Sequence, residues 1–343
     1  MQAQTDVLII GGGLAGLTSG IHLSAYGYSV TIIEKAAYPR HKVCGEYISN
    51  EILPYLEWLG ADVCQLNTVP IHKLSFSSFT GKTINAHLPL GGFGLSRYAL
   101  DHFLYKFATG RGCKILYDTV TGVTFNSNMF TVTANRVTYS AKVVLGAYGK
   151  RSALDLTLNR EFISKKSPWL AVKGHYKGQF PDDTVGLHHF PGGYCGVSKV
   201  EDGSINICYL AAYESFGKFK DINAYQEEVL YKNPQLKAIF TNCKPVFEKP
   251  LTISQISFDH KNAVEQHILM IGDTAGLIHP LCGNGMAMAM HSAKIASEKA
   301  NDFLQGKISR AGMEGGYAKQ WNRNFGYRIK MGRLLGSILQ RHR

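Results

Sequence analysis

No apolar run in the 343 residues approaches the ~18 to 20 needed to span a bilayer, which argues against a helical membrane protein. The seven cysteines are odd in number and form no Cys-x-x-Cys pair, so reduced thiols in a reducing compartment are expected. The first strand starts almost at once, with no basic region, apolar stretch and small-residue cleavage site before it. No signal peptide is therefore expected, and the expected location is cytoplasmic. There is no internal repeat, no low-complexity segment and no Gly-x-Ser-x-Gly nucleophile elbow. Gly81-Lys82-Thr83 is not a phosphate loop, because Phe76 stands where the leading glycine is required, and a hairpin turn is expected instead. His188 and His189 are adjacent on an expected strand and point to opposite faces, so no metal site is expected there.

Acid is also scarce. Asp and Glu number 25 against 37 Lys and Arg, a formal charge of +12. From Gly315 to the end there are seven basic residues (Lys319, Arg323, Arg328, Lys330, Arg333, Arg341 and Arg343) and no acidic one. Trp321, Phe325 and Ile329, followed by Leu335 and Leu339, would form one apolar stripe on a helix over 311–343. Two readings stay open: a helix packed on the body with a solvated basic face, or a docking surface for an anionic membrane or acidic carrier protein. Nucleic acid is not an expected partner, since no recognition motif accompanies the charge.

What is present is chemically specific. Val7 to Ile10 read as a buried parallel strand running into Gly11-Gly12-Gly13-Leu14-Ala15-Gly16, where glycines permit a tight turn and close approach of a pyrophosphate to a helix N-terminus. Glu34 closes the next strand at roughly the ~20-residue distance expected of a ribose-binding carboxylate. Dinucleotide binding follows. A second apolar strand, Ile268 to Ile271, ends in Gly272-Asp273 and leads through Pro280, Gly283, Asn284 and Gly285 into an uncharged helix start. An acid at a strand end suits a ribityl or ribose hydroxyl, and glycines opening a helix offer N–H groups to an anionic cofactor edge. Between these, Ser96 is an expected N-cap for a helix with Leu100, Phe103, Leu104 and Phe107 on its buried side. Residues 165–258 alternate strand-like runs with one or two helices, as in an antiparallel sheet.

These segments resemble the FAD-dependent oxidoreductases with the para-hydroxybenzoate hydroxylase fold, and within them the geranylgeranyl reductase-like branch. The resemblance implies an α/β architecture: a Rossmann-like FAD-binding domain (1–70, 95–160 and 259–310), an inserted antiparallel-sheet substrate domain (71–94 and 161–258) and the C-terminal helix. It implies that Gly11, Gly13, Leu14, Ala15, Gly16, Glu34 and Lys35 hold the ADP half of FAD, with Arg97 approaching the phosphates. Gly272, Asp273, Pro280, Gly283, Asn284 and Gly285 would contact the ribityl chain and flavin. Lys42-Val43-Cys44-Gly45-Glu46 is similar to the reductase Lys-x-Cys-Gly segment, placing Cys44 and Gly45 by the isoalloxazine, with Arg40 near the cofactor. Phe190-Pro191 is similar to a strand bordering the substrate cavity, with His188 and His189 before it.

Candidate catalytic residues are Cys44, whose pKa the flanking Arg40, His41 and Lys42 would lower, Glu46 and His189. His41, Cys44 and Tyr148 are the side chains to inspect for covalent flavin attachment. The pattern departs from the family at Gly146-Ala147-Tyr148-Gly149, where an acid is usual, and no Trp-x-Trp-x-x-Pro segment supports a halogenase. The expected function is an NADPH- or NADH-dependent monooxygenase of an apolar or aromatic small molecule, free or carrier-bound. The alternatives are a double-bond reductase and a non-catalytic flavin-binding subunit.

Overall fold

The computed structural model describes residues 3–219 and 221–341, with side chains described through 334. The chain opens with β1 (Ala3–Ile10), α1 (Leu14–Ala25) and β2 (Val30–Glu34). A first excursion carries β3 (Tyr47–Ser49), α2 (Leu53–Trp58), β4 (Val69–Ser77) and β5 (Thr83–Gly94). The return supplies α3 (Arg97–Gly110), β6 (Lys114–Tyr117), β7 (Val120–Asn126), β8 (Met129–Ala134), β9 (Thr138–Gly146) and α4 (Ala153–Thr157). A second excursion contains β10 (Trp169–Lys177), β11 (Thr184–Phe190), β12 (Gly193–Lys199) and β13 (Ile205–Ala212). It continues through α5 (Tyr213–Phe216), α6 (Ile222–Glu228), α7 (Pro234–Asn242), β14 (Lys244–Pro245) and β15 (Leu251–Ser254). The chain ends on β16 (Val264–Glu265), β17 (Ile268–Met270), α8 (Gly285–Leu304) and α9 (Arg310–Arg341).

The first sheet has the order β16-β17-β9-β1-β2-β6, with β7 and β8 attached beyond β9. Its central strands are parallel, and the register sets Ile10 beside Ile33 and Gly146, with Gly146 beside Met270. Three loops therefore leave the sheet side by side, after Ile10, Gly146 and Met270. In an open parallel sheet this line of strand C-termini is where ligands bind. Val7, Leu8, Ile9, Val143, Val144 and Leu145 are buried, as a strand covered on both faces requires.

The second sheet runs β14-β10-β13-β12-β11-β4-β5-β3, with β15 on β10. Tyr47–Ser49 thus pairs with β5 in this sheet. Both faces carry apolar clusters, and the face towards the first domain also carries Lys173, His175 and Asn206. Leu170, Val172, Val197, Ile207, Tyr209 and Phe190 pack with Tyr225, Leu230 and Leu236 of the helical side. Trp169, Ala171, Tyr194, Leu210 and Ala212 face Ile256, Leu277 and the loops of the first domain. The turn at Gly81 closes the β4–β5 hairpin, with Ser77 opposite Thr83.

The described part of the stripe on α9 is used internally. Met313, Tyr317, Trp321, Phe325 and Ile329 are buried in the core of the first domain, and the Tyr317 hydroxyl donates to the Met270 carbonyl. Lys319, Arg323 and Lys330 are exposed, whereas Arg328 pairs with Glu51. Leu335, Leu339, Arg341 and Arg343 lie outside the described side chains. No described helix is long and apolar enough to cross a membrane.

Candidate functional site

At the N-terminus of α1 each glycine meets a different demand. Gly11 has φ +104° and runs so close to β9 that any Cβ would collide with the Ala147 carbonyl, while a Cβ on Gly16 would strike the Gly11 carbonyl. These two allow the helix to close on the strand. Gly13 is different: a Cβ there would meet only Arg97 Nη2, at 3.9 Å. Gly13 is the N-cap of α1 and supplies no side-chain cap, and the first turn holds no acid, so helix N–H groups face open ground beside a guanidinium.

Glu34 is buried at the end of β2. It accepts from Gly12 N–H at 2.7 Å, Ala36 N–H at 3.1 Å and Arg40 Nη2 at 2.7 Å, and so fixes the glycine turn. Tyr38 donates to the Gly12 carbonyl. Lys35, expected with this group, is exposed.

Arg97, at the first turn of α3, grips Asp101 through Nε at 2.7 Å and Nη2 at 2.8 Å, and Lys42 reaches the same carboxylate at 2.6 Å. Burial pushes the Asp101 carboxyl up, but Arg97 and Lys42 outweigh it and hold it below its usual range. Two cations on one buried carboxylate leave a net positive charge beside the α1 N-terminus. The Arg97 guanidinium also faces Cys44.

The loop bearing Cys44 is pinned from the second sheet. Glu46, fully buried and with φ +55°, accepts from Lys173, from His175 Nε2 at 2.7 Å and from Arg97 N–H at 2.7 Å. Lys173 also donates to the Lys42 carbonyl, and Asn206 Nδ2 to those of Cys44 and Gly45. Burial raises the Glu46 pKa, but His175 and Lys173 overcome it and the net shift is downward. Glu46 therefore does not face a ligand as a proton donor, contrary to the sequence expectation: both oxygens are committed to holding the loop. His41 stacks on Tyr98 and meets Phe247 and His175, and a Cβ on Gly45 would find nothing within 4 Å.

The third loop follows β17. Gly272, with φ +61°, is wedged between α1 and α8 and donates to Ser292 Oγ at 2.8 Å. Asp273 lies in the following turn, where its carbonyl accepts from the buried Lys261. Pro280–Cys282 form a short 3-10 turn, Gly283 has φ +62°, and α8 starts after Asn284 with no side-chain cap and no acid in its first turn. Asn284 Oδ1 is buried without a partner. Gly285 opens that helix.

At the Gly146 loop, Tyr148 takes the place of the usual acid. Its hydroxyl bonds Asp155 Oδ1 at 3.2 Å, and Asp155 also caps Ser152 and pairs with buried Arg160 at 3.0 Å. An acid thus stands beneath this loop after all. The Ser152-x-x-Asp155 capping box was its sequence signal.

The expected substrate residues divide between the two faces of β11. His188 points to the helical side, with Nδ1 2.8 Å from Ser77 Oγ, and Phe190 is fully buried against Tyr209 and Tyr225. Neither borders the face towards the first domain, contrary to expectation. His189 pairs with Tyr194, and Leu187 belongs to the apolar cluster on that face; Pro191 is in the turn beyond. One residue passed over in the sequence is at the centre of that cluster. His279, just before Pro280, is ringed by Trp169 at 6.2 Å, Tyr194 at 5.8 Å and Phe258 at 4.9 Å. Burial pushes its pKa down to about 4. Among the described residues, no group of three or more His, Cys, Asp or Glu is placed to hold a metal.

The sequence matches the family of FAD binding domains over residues 4–174. Conditioned medium factor receptor 1 of Dictyostelium discoideum is 24% identical over 98% of this chain and 71% of its own length. The digeranylgeranylglycerophospholipid reductase of Methanosarcina acetivorans is 25% identical over 95% of this chain and 82% of its own. The flavin-dependent halogenase CmlS superposes with a TM-score of 0.82 at 21% identity, covering 95% of this chain and 63% of that one. PqsL of P. aeruginosa, solved with 2-aminobenzoylacetate, superposes with a TM-score of 0.78 at 15% identity, covering 98% and 97%.

Proposed function

We propose that the protein, an FAD-dependent oxidoreductase of the para-hydroxybenzoate hydroxylase fold, is an NAD(P)H-dependent monooxygenase of an apolar or aromatic small molecule. The residues present fit FAD. The uncapped start of α1, with Gly13 open towards Arg97, suits the pyrophosphate, and Glu34 stands at the strand end suited to a ribose. Gly272 and Asp273 suit the ribityl chain. The uncapped start of α8, with the unpartnered Asn284 Oδ1, suits the polar edge of the ring.

Bound FAD supplies two-electron reduction by a nicotinamide nucleotide and activation of oxygen. The chain does the rest. Arg97 and Lys42, held by Asp101, offset phosphate charge. Glu46 fixes the loop of Cys44 and Gly45 through Lys173 and His175. Trp169, Tyr194, Leu210, Leu277 and Ile256 exclude water and hold the substrate ring, so that the reaction proceeds in a dry site.

The observation that carries the monooxygenase reading is the commitment of Glu46. With that carboxylate tied to three donors, the apolar face presents aromatic and aliphatic groups suited to holding a substrate for oxygen transfer. PqsL, solved with an aromatic ligand, supports it. A double-bond reductase is the second reading, favoured by Cys44 against Arg97, where a proton donor to substrate would stand, and by the name of the Methanosarcina relative.

Anaerobic reduction by NADPH and by NADH, followed by an oxygen pulse in stopped flow, separates them. Rapid reduction and a transient near-ultraviolet band before reoxidation are expected. Sluggish reduction by both nucleotides and featureless reoxidation would establish the reductase reading instead, and a colourless protein that takes up no FAD would sink both.

A further inference from the structure

Resting on that reading and deepening it, we propose that His279 selects the substrate: its imidazole, inside the cage of Trp169, Tyr194 and Phe258, hydrogen-bonds the hydroxyl of an uncharged aromatic ligand. The first support is an unanswered polar demand. His279 is 4% exposed, and neither Nδ1 nor Nε2 has a partner. Three other buried histidines each keep one partner. His22 holds Tyr55, His188 holds Ser77 and His175 holds Glu46, each through one ring nitrogen. His22 and His188 each leave one ring nitrogen unpartnered, whereas His279 leaves both, and a buried ring with no bond at either nitrogen marks a position where something else completes the bonding.

The second support is the position of the ring. Pro280 keeps His279 extended, with φ −62° and ψ 129°, and the His279 carbonyl accepts from Cys282 N–H at 3.0 Å. From α9, Gly332 packs so closely that a Cβ would lie 3.1 Å from His279 Cβ. The backbone is thus clamped on one side while the ring projects into the aromatic cage on the other.

The surroundings then specify the ligand. Ala171, Leu210, Ile256 and Leu277 complete the apolar cluster, and the charges farther along the same sheet face, Lys173 and Glu46, are buried and paired with each other. Such a site favours a flat apolar body and discourages an ionised one. A neutral imidazole has one N–H donor and one acceptor nitrogen. A hydroxyl both donates and accepts, so it can engage either. The uncharged hydroxyaromatic is the chemistry that satisfies the ring and the cage together.

The test is a titration of the holoprotein with 4-methylphenol and toluene, which differ by the hydroxyl alone. Flavin absorbance and tryptophan fluorescence report binding independently. The wild type is expected to prefer 4-methylphenol by about tenfold or more, as a site built around a hydrogen bond rejects an analogue lacking it. In both His279→Ala and His279→Phe the preference should fall to within about twofold with toluene binding retained, and His279→Asn should restore part of it. Equal affinity for the two ligands in the wild type overturns the proposal. So does a preference that persists in either the alanine or the phenylalanine variant, including one that has lost flavin, since His279 would then serve the cofactor. If the wild type takes up no flavin, the redox reading fails by itself, and the fluorescence titration still decides the role of His279.

Discussion

At the scale of single residues, Glu46 shows what the sequence conveys and what it withholds. A carboxylate two positions after Cys44 reads as an acid near the chemistry. Its partners, Lys173 and His175, are 127 and 129 residues away on β10, and nothing local announces them. Glu46→Leu would leave Lys173 as a buried cation without its counter-ion, and a loss of about 3–5 kcal/mol is expected in urea unfolding. His279 was illegible for a related reason. Its interest lies in burial without partners, which a sequence does not display, whereas neighbouring Pro280 and Gly283 belong to a legible loop.

The pH dependence follows from the same groups. Asp101 and Glu46 have folded pKa values below their unfolded ones, so the stability they confer is present above the unfolded carboxyl value, about 4, and is lost as pH falls through the folded values. Buried His22, His188 and His279 are each pushed down to about 4 by desolvation, so the unfolded chain takes up their protons first. Their contribution is complete above about 6.5 and declines towards pH 4. The urea midpoint should therefore fall in two stages on acidification, the histidine stage first. His22→Phe should shrink that first stage, and an unchanged profile would count against the assignment.

At the scale of elements, the glycine fingerprint was legible because backbone geometry selects the residue. Gly11 and Gly16 are packed against carbonyls, while Gly13 faces open ground. Their substitution should separate folding from cofactor binding. Gly16→Ala is expected to lower stability by about 1–3 kcal/mol or more through overpacking. Gly13→Val should leave the unfolding midpoint close to wild type and remove bound FAD; retention of stoichiometric FAD would refute the placement of the pyrophosphate. The strand β11 was only half legible. Alternation showed that His188 and His189 point apart, but both faces of the second sheet are buried under apolar partners, so no pattern told which faced the first domain. The answer lies in the register that sets His189 opposite Tyr194.

At the scale of the molecule, the C-terminal helix settles part of a choice the sequence left open. Tyr317, Trp321, Phe325 and Ile329 are buried, so this part of the stripe belongs to the core, while Leu335 and Leu339 lie outside the described side chains. Exposed Lys319, Arg323 and Lys330 still give that side a positive field. Any association with phosphatidylserine vesicles should be electrostatic alone, weakened strongly by added salt and lost in a variant with these three changed to Glu, as co-sedimentation would show. Salt-resistant binding would mean that apolar groups insert.

The strand order also has a temporal side. Gly146 of β9 is neighboured on one side by β1 and on the other by Met270 of β17, which is about 120 residues later in the chain. At the ~5–20 residues per second of translation, β9 waits roughly 6–25 s for that neighbour to be made. During this time the Leu145–Gly146 end of β9, beyond the part that β8 pairs, has an uncovered apolar edge on the ribosome, and the strands of the second excursion emerge beside it before the proper partner exists. Synonymous codons that slow translation within 165–258 should therefore lower soluble yield without changing a single residue of the product.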